Sequence, residues 1–391
     1  MATATTTPPV TSPAMPAAPA AAAGAVMPGR SFIQSSSENY RKAFYDNSFT
    51  LTTTTQAIND VTVDPYDYAR YVWIHVETTA AGGGSGVTLA ADGPFNALQN
   101  IKIETPGGGQ PLFYMPDGHK VAMINKYGDP SFHRDPRGYP NFAFSTGAGI
   151  APTMEFWVRL PLELIPRVGL GTLENKNAAS PYKLSMSLNT LANVFGGTPT
   201  TPTIRVRMYL AAYDMPPTSE GGVANTQSPP VARTWQRWRM ETIAYSSGGF
   251  TVQRPSVQDA YVRMYIPIVY RTSSTRQNGD ADWPDPMQFI VDDTEKYEFG
   301  VKDWNLNTYE KWGYGAAGTT PETYNGRDYG VFPWSYAHDL TGRVGDELCQ
   351  LYTPTISSQK ITWYGSFGNA GTMYLLVNEI LPTGDIWSAA L

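Results

Sequence analysis

Two acidic clusters stand out among the groups able to do chemistry: Asp280, Asp282 and Asp285, then Asp292, Asp293 and Glu295. Paired carboxylates can hydrolyse a glycosidic bond or, in larger sets, hold calcium. Neither cluster has EF-hand spacing. The first falls in a Pro-rich loop and the second in a turn after a strand, where solvated loop charge is the plainer reading. Trp304, Tyr309, Trp312 and Tyr314 could stack on sugar rings, but a loop packed on a neighbouring subunit would use the same side chains. The histidines are His75, His119, His133 and His338, and no two stand at the i, i+2 or i, i+4 spacing that offers paired ligands to zinc. His75 lies inside an alternating strand and reads as a hydrogen-bonded structural histidine. His133-Arg134-Asp135 is a compact polar triplet in a loop, suited to a locking ion pair. The single cysteine, Cys349, has no partner for a disulfide and no second thiolate for a structural zinc site. No phosphate-binding glycine loop occurs, and Gly84-Ser85-Gly86 lacks the glycine spacing of a nucleophile elbow. No catalytic, metal or cofactor-binding residue is therefore expected, and the protein is not expected to be an enzyme.

The elements that must position these residues are strands. The 391 residues suffice for two domains with their own cores; charged residues are 16 % and aromatics 13 %, with 24 tyrosines, so most of the chain folds. A net charge of −6 leaves no basic surplus for a phosphate backbone, and sequence-specific nucleic-acid binding is not expected. No apolar run is long enough to span a bilayer. Met1–Pro13 lacks the basic start of a secretory signal, which suggests a protein made and kept inside a cell or inside something assembled there.

Residues 1–29 are almost entirely Ala, Thr, Pro and Gly and read as an arm. Ser35–Ser37 ahead of Glu38, with Tyr40, Ala43 and Phe44 at i, i+3, i+4 spacing, predict one short capped helix whose Arg41 and Lys42 face solvent or an anionic layer. From Phe49 onward the period is two. Tyr182, Leu184, Met186 and Leu188 alternate with polar residues, as do Ile204, Val206, Met208 and Leu210, giving each strand a dry and a wet face. Similar segments are Tyr71–Val76, Gln99–Glu104, Phe156–Leu160, Val262–Ile268, Lys360–Phe367 and Met373–Ile380, separated by Gly, Pro, Asn and Asp turns. The chain is thus expected to be all-β and mostly antiparallel. Proline and glycine between Asp214 and Pro230 mark a linker, giving an arm with a short helix over 1–47, a first β domain over 48–214, a linker over 215–232 and a second β domain over 233–391. Both domains close on a strand, a turn and a strand running into proline, which suggests a duplicated sandwich. The stretches 126–153, 271–285 and 303–330 read as long loops.

Particular residues then carry a family likeness. Gly93-Pro-Phe-Asn-Ala-Leu98-Gln-Asn-Ile101-Lys-Ile-Glu-Thr-Pro106, followed by Gly118-His119 and Asn125-Lys126, is similar to the early strands of the double jelly-roll major capsid proteins of tailless icosahedral bacteriophages with an internal membrane, the tectivirus group. Met154-Glu-Phe-Trp157-Val158-Arg-Leu-Pro161-Leu and Pro181–Asn189 resemble the next strands. Tyr265-Ile-Pro267-Ile, Asp328-Tyr-Gly-Val331, Gln350–Pro354 and Gly368-Asn369-Ala-Gly resemble those of the second roll. The likeness covers about residues 45–380; the Ala/Pro-rich arm and the Tyr/Trp stretch at 303–330 depart from it. It implies two tandem eight-stranded jelly rolls, no cofactor, and a virion protein assembled in the host cytoplasm. Its partners would be its own copies in pseudo-hexagonal homotrimers and neighbouring capsomers, the penton or vertex and minor capsid proteins, and an internal membrane met by the arm. Arg30, Tyr40, Arg41 and Phe44 would then lie on the inner side, and Trp304, Tyr309, Trp312 and Tyr314 in an outer or inter-subunit loop. The competing readings are a two-roll carbohydrate-active or glycan-binding protein and a receptor-binding spike.

Overall fold

The computed structural model describes residues 38–80, 87–90, 92–105, 111–129, 141–143, 153–165, 170–196, 202–216, 219–220, 223–224, 234–255, 260–272, 276, 283–292, 294–317, 326–336 and 360–382. The main strands of the first half are β1 (Glu38–Thr50), β2 (Gln56–Thr62), β3 (Tyr66–Ala80), β4 (Leu98–Glu104), β5 (Pro111–Asp117), β6 (Asn141–Ala143), β7 (Thr153–Pro161), β8 (Lys183–Leu188) and β9 (Thr203–Tyr213). Those of the second are β10 (Thr234–Tyr245), β11 (Gly248–Pro255), β12 (Tyr261–Arg271), β13 (Met287–Val291), β14 (Thr294–Phe299), β15 (Trp334–Ser335), β16 (Lys360–Phe367) and β17 (Gly371–Pro382). Two helices, α1 (Gly118–Met123) and α2 (Val301–Trp312), bring side chains of one half against the other.

Three sheets organise the chain. A six-stranded sheet in the order β1-β9-β3-β7-β6, with Leu173–Asn175 on β3, faces one half of an eight-stranded sheet ordered β2-β8-β4-β5-β10-β17-β12-β15; a four-stranded sheet, β11-β16-β13-β14, faces the other half. Each roll thus contributes four strands to the shared sheet, and the two halves meet where β5 and β10 pair in parallel at Phe113 and Trp238. The alternation expected from sequence is realised in β9 (Ile204, Val206, Met208 and Leu210 buried) and in β16 (Ile361, Trp363 and Phe367 buried). In β12 it disappears: residues 262–270 are all buried, because Met264, Ile266 and Ile268 join the first core while Val262, Tyr265 and Val269 join the second. A strand covered on both faces has no wet side to keep polar.

Two local expectations are corrected. Glu38–Thr50 is a strand antiparallel to β9 rather than a helix, with Tyr40 opposite Ala211 and Phe49 opposite Ile204. A single helical turn is marginal alone, and a full row of ladder hydrogen bonds outcompetes it. Phe44 accordingly packs, half-buried, against the first core instead of riding on a free arm. The second correction is that 301–312, read as part of a loop, is helical. Its Val301, Trp304, Thr308 and Trp312 are buried along one stripe, Asp303 is in its first turn, Lys311 in its last, and Gly313 ends it in the left-handed region at φ 71°. Among the described residues no helix is long and apolar enough to cross a membrane.

Candidate functional site: the junction between the rolls

The expected site residues scatter. Arg30, the triplet His133-Arg134-Asp135, Asp280, Asp282, Asp293 and Cys349 lie outside the described residues, as do the side chains of Tyr40, Arg41 and Glu295. Trp304, Trp312 and Tyr314 are buried in the chain's own core, so their aromatic area is already spent; Tyr309, 58 % exposed, can reach a neighbour. Asp285 accepts the Val301 N–H at 3.3 Å at the start of α2, and Asp292, at φ 48°, accepts the Lys360 N–H at 2.8 Å. Both carboxylates serve turns and caps.

His75, Glu77 and Glu155 bring three ligand-type atoms within 4.8 Å of one another. Their charges are already met. His75 Nε2 lies 2.9 Å from Glu155, while Arg207 donates to His75 Nδ1 at 2.9 Å and to Glu77 at 2.7 Å, and Arg205 stands 3.6 Å from Glu77. Burial, then Arg207, holds the imidazole below its ordinary pKa despite the carboxylates. This is a neutral, Nε2-protonated histidine bonded on both sides, stacked on Trp157 at 4.0 Å. Two guanidiniums stand where a cation would need none.

What the sequence did not single out is the dense polar seam between the rolls. Asp117 caps α1 through the Lys120 N–H at 3.0 Å, and Gly118 is required there because a Cβ would lie 2.2 Å from the Phe95 carbonyl oxygen. The helix aims Lys120 at the second roll, where its ammonium meets Asp117 at 2.9 Å, donates to the Tyr270 hydroxyl at 3.2 Å and lies over the Tyr270 and Tyr374 rings. Tyr270 donates its hydroxyl to Asp92, which also takes Arg276 Nε at 2.5 Å. Burial pushes the Asp92 carboxyl up, but His119, then Arg276, Lys120 and the Tyr270 hydrogen bond, outweigh it and hold it well below the usual range.

After α1 the chain makes one wide turn, Ile124–Gly128, that plugs into the second roll. Lys126 pairs with Asp328 at 2.6 Å, Tyr127 donates to Asp328 at 2.7 Å, and Trp312 Nε1 donates to the Tyr127 carbonyl at 2.8 Å. Arg263, buried inside β12, donates to the Gly128 carbonyl and, at 2.6 Å, to Asn378. A Cβ at Gly128 would meet the Trp238 ring at 2.4 Å, so this turn and β10 approach as closely as only glycine allows. Charged groups are tolerated here because each is paired and hydrogen-bonded. A cleft of about 350 Å³ opens beside Lys120, Tyr245, Tyr270 and Arg271. Its polar groups are largely committed to one another: Tyr245 donates to the Tyr270 carbonyl at 3.0 Å and Thr272 to the Ala370 carbonyl at 3.0 Å. The chemistry of this region is mechanical, fixing one roll against the other. Arg263 in an apolar run and the early Gly118–Lys126 stretch were its visible signs in the sequence.

No protein-family profile matches the chain. No curated protein matches it either. Among solved structures, the STIV major capsid protein aligns with a TM-score of 0.58 at 12 % identity, over 89 % of this chain and 99 % of that one. The atomic structure of Sulfolobus Turreted Icosahedral Virus gives 0.56 at 13 % identity, over 90 % and 92 %. PBCV-1 VP54, fitted into a reconstruction of the virophage Sputnik, gives 0.50 at 8 % identity, over 88 % and 95 %. With sandwiches side by side on a shared sheet, and a likeness to these chains over 88–90 % of its length, the protein has the double jelly-roll fold seen in those capsid proteins.

Proposed function

We propose that the chain is a major capsid protein that assembles as pseudo-hexagonal homotrimers tiling an icosahedral virion shell around an internal membrane. The observation that carries this reading is the rigid pairing of two rolls on one eight-stranded sheet. Three copies of a two-lobed subunit present six similar lobes, which is the outline needed to tile hexagonally, and closed symmetry then fixes the interfaces. Residues 1–37 would form the inner arm, with Arg30 near its end, and would meet membrane and vertex or minor capsid proteins; Tyr40 and Arg41 lie at the start of β1. The function needs no catalysis. A glycan-active reading requires an exposed Trp platform beside free carboxylates; Trp304 and Trp312 are buried, and Asp285 and Asp292 serve as cap and turn. Negative-stain microscopy of the purified chain should show hexagonal plates with a threefold centre, and sedimentation should give a trimer. A stable monomer at micromolar concentration overturns the proposal.

The surface of α2 offers a sharper test. Leu306 and Tyr309, 55 % and 58 % exposed, stand one turn apart on its outer face. Serine at both positions should leave the stability of the subunit within about 0.5 kcal/mol, since neither side chain fills the core. Trimer and particle yield should fall several-fold. Unchanged assembly by size-exclusion chromatography removes α2 from the interface.

A further inference from the structure

We propose that the junction between the rolls is an acid-sensitive latch in which His119 is the sensor and the Asp92–Tyr270–Arg276 contact is the bolt. His119 sits on α1 at 2 % exposure, and neither ring nitrogen makes a hydrogen bond. Its Nε2 stands 3.8 Å from Asp92, beyond hydrogen-bond reach. Asp92 is the carboxylate to which both Tyr270 and Arg276 of the second roll are tied. A wholly buried imidazole with no hydrogen bond, beside the anchor of an inter-domain contact, is a poor structural choice and a good switch.

The charges facing it are balanced while it is neutral. Among the described residues, Asp92 and Asp117 oppose Lys120 and Arg276, and the Tyr270 hydroxyl is spent on Asp92. A proton on His119 therefore adds an uncompensated charge in a dry site. Burial first, then Arg276 and Lys120, push the imidazole down to about 4 against the pull of the two carboxylates. The folded value lies below the ordinary ~6.5, so the opened or unfolded state takes up a proton over a range where the closed junction does not. The contribution to closure is complete above about pH 6.5 and declines as pH falls towards 4, by about tenfold per pH unit. Once protonated, His119 competes with Arg276 and Tyr270 for Asp92. The loss falls on contacts that join the rolls, rather than on either core.

Urea unfolding of the full chain between pH 7 and 4.5, compared with His119→Gln and His119→Leu, isolates this group from every other titration. The ratio of wild-type to variant folding constants should fall roughly 40-fold between pH 6.5 and 4.5. Small-angle scattering should show the wild type expanding at pH 4.5 under conditions where His119→Gln stays compact. Parallel pH profiles, or equal dimensions of wild type and variant, overturn the latch. Should both variants fail to fold, the NMR titration of His119 in the wild type decides: a midpoint well below 6 supports the proposal and one above 6 overturns it.

Discussion

Replacing Asp328 with alanine is expected to destabilise the chain by about 3–5 kcal/mol, because it strands charge inside the junction rather than trimming a surface contact. Asp328 is 6 % exposed and holds Lys126 at 2.6 Å and the Tyr127 hydroxyl at 2.7 Å. Removing the carboxylate takes the counter-charge from a largely buried ammonium and the acceptor from a buried hydroxyl. Burial pushes the Asp328 carboxyl up, yet Lys126, Arg276 and Tyr127 outweigh it and set it below the usual value. A depressed carboxylate contributes stability above its unfolded pKa of about 3.8 and loses it as pH falls through the folded value. Acid unfolding of wild type should therefore continue to steepen below pH 4, and Asp328→Asn, which keeps an acceptor for Tyr127 but no charge for Lys126, should flatten that limb. Denaturant midpoints at pH 7 and 3 check both; a loss under 1 kcal/mol for Asp328→Ala would show that the pair adds little.

Trp312→Ala should cost a similar 3–5 kcal/mol through a different mechanism, an unfilled cavity where α2 meets the first roll. Trp312 is fully buried, stands edge-on to Tyr127 at 5.7 Å between ring centres, and belongs to the first roll's core cluster although it is carried by the second. Trp312→Phe keeps much of the ring but strands the Tyr127 carbonyl that Nε1 now satisfies at 2.8 Å, and about 1–3 kcal/mol is expected. Because the side chain bridges the rolls, unfolding of Trp312→Ala should separate into two transitions by calorimetry. A single unshifted transition would show that α2 is not needed to join them.

The fold class is legible in the chain because alternation is a local property. Ile204 to Leu210 and Ile361 to Phe367 state which side chains are dry without reference to any partner, and tandem sandwiches follow from enough such segments separated by turn residues. Partners are not local, and so the junction is not legible. The helical stripe Val301, Trp304, Thr308 and Trp312 is present, with Gly300 before it and Gly313 after it, but dense aromatics followed by glycines give the segment the look of a loop. Its tryptophans point outward on composition and inward in the fold, since an aromatic is equally suited to an interface and a core.

Residue order thus specifies two β sandwiches, their succession along the chain and its low-complexity start. Only the packed molecule shows that the sandwiches share one sheet, that Glu38–Thr50 is an edge strand on β9, and that Asp92, His119, Lys120, Tyr270, Arg276 and Asp328 converge. The cause is sequence separation. Periodicity records which face a residue turns from water, whereas the pairing of Lys126 with Asp328 or Asp92 with Arg276 exists only after distant segments are brought together by burial.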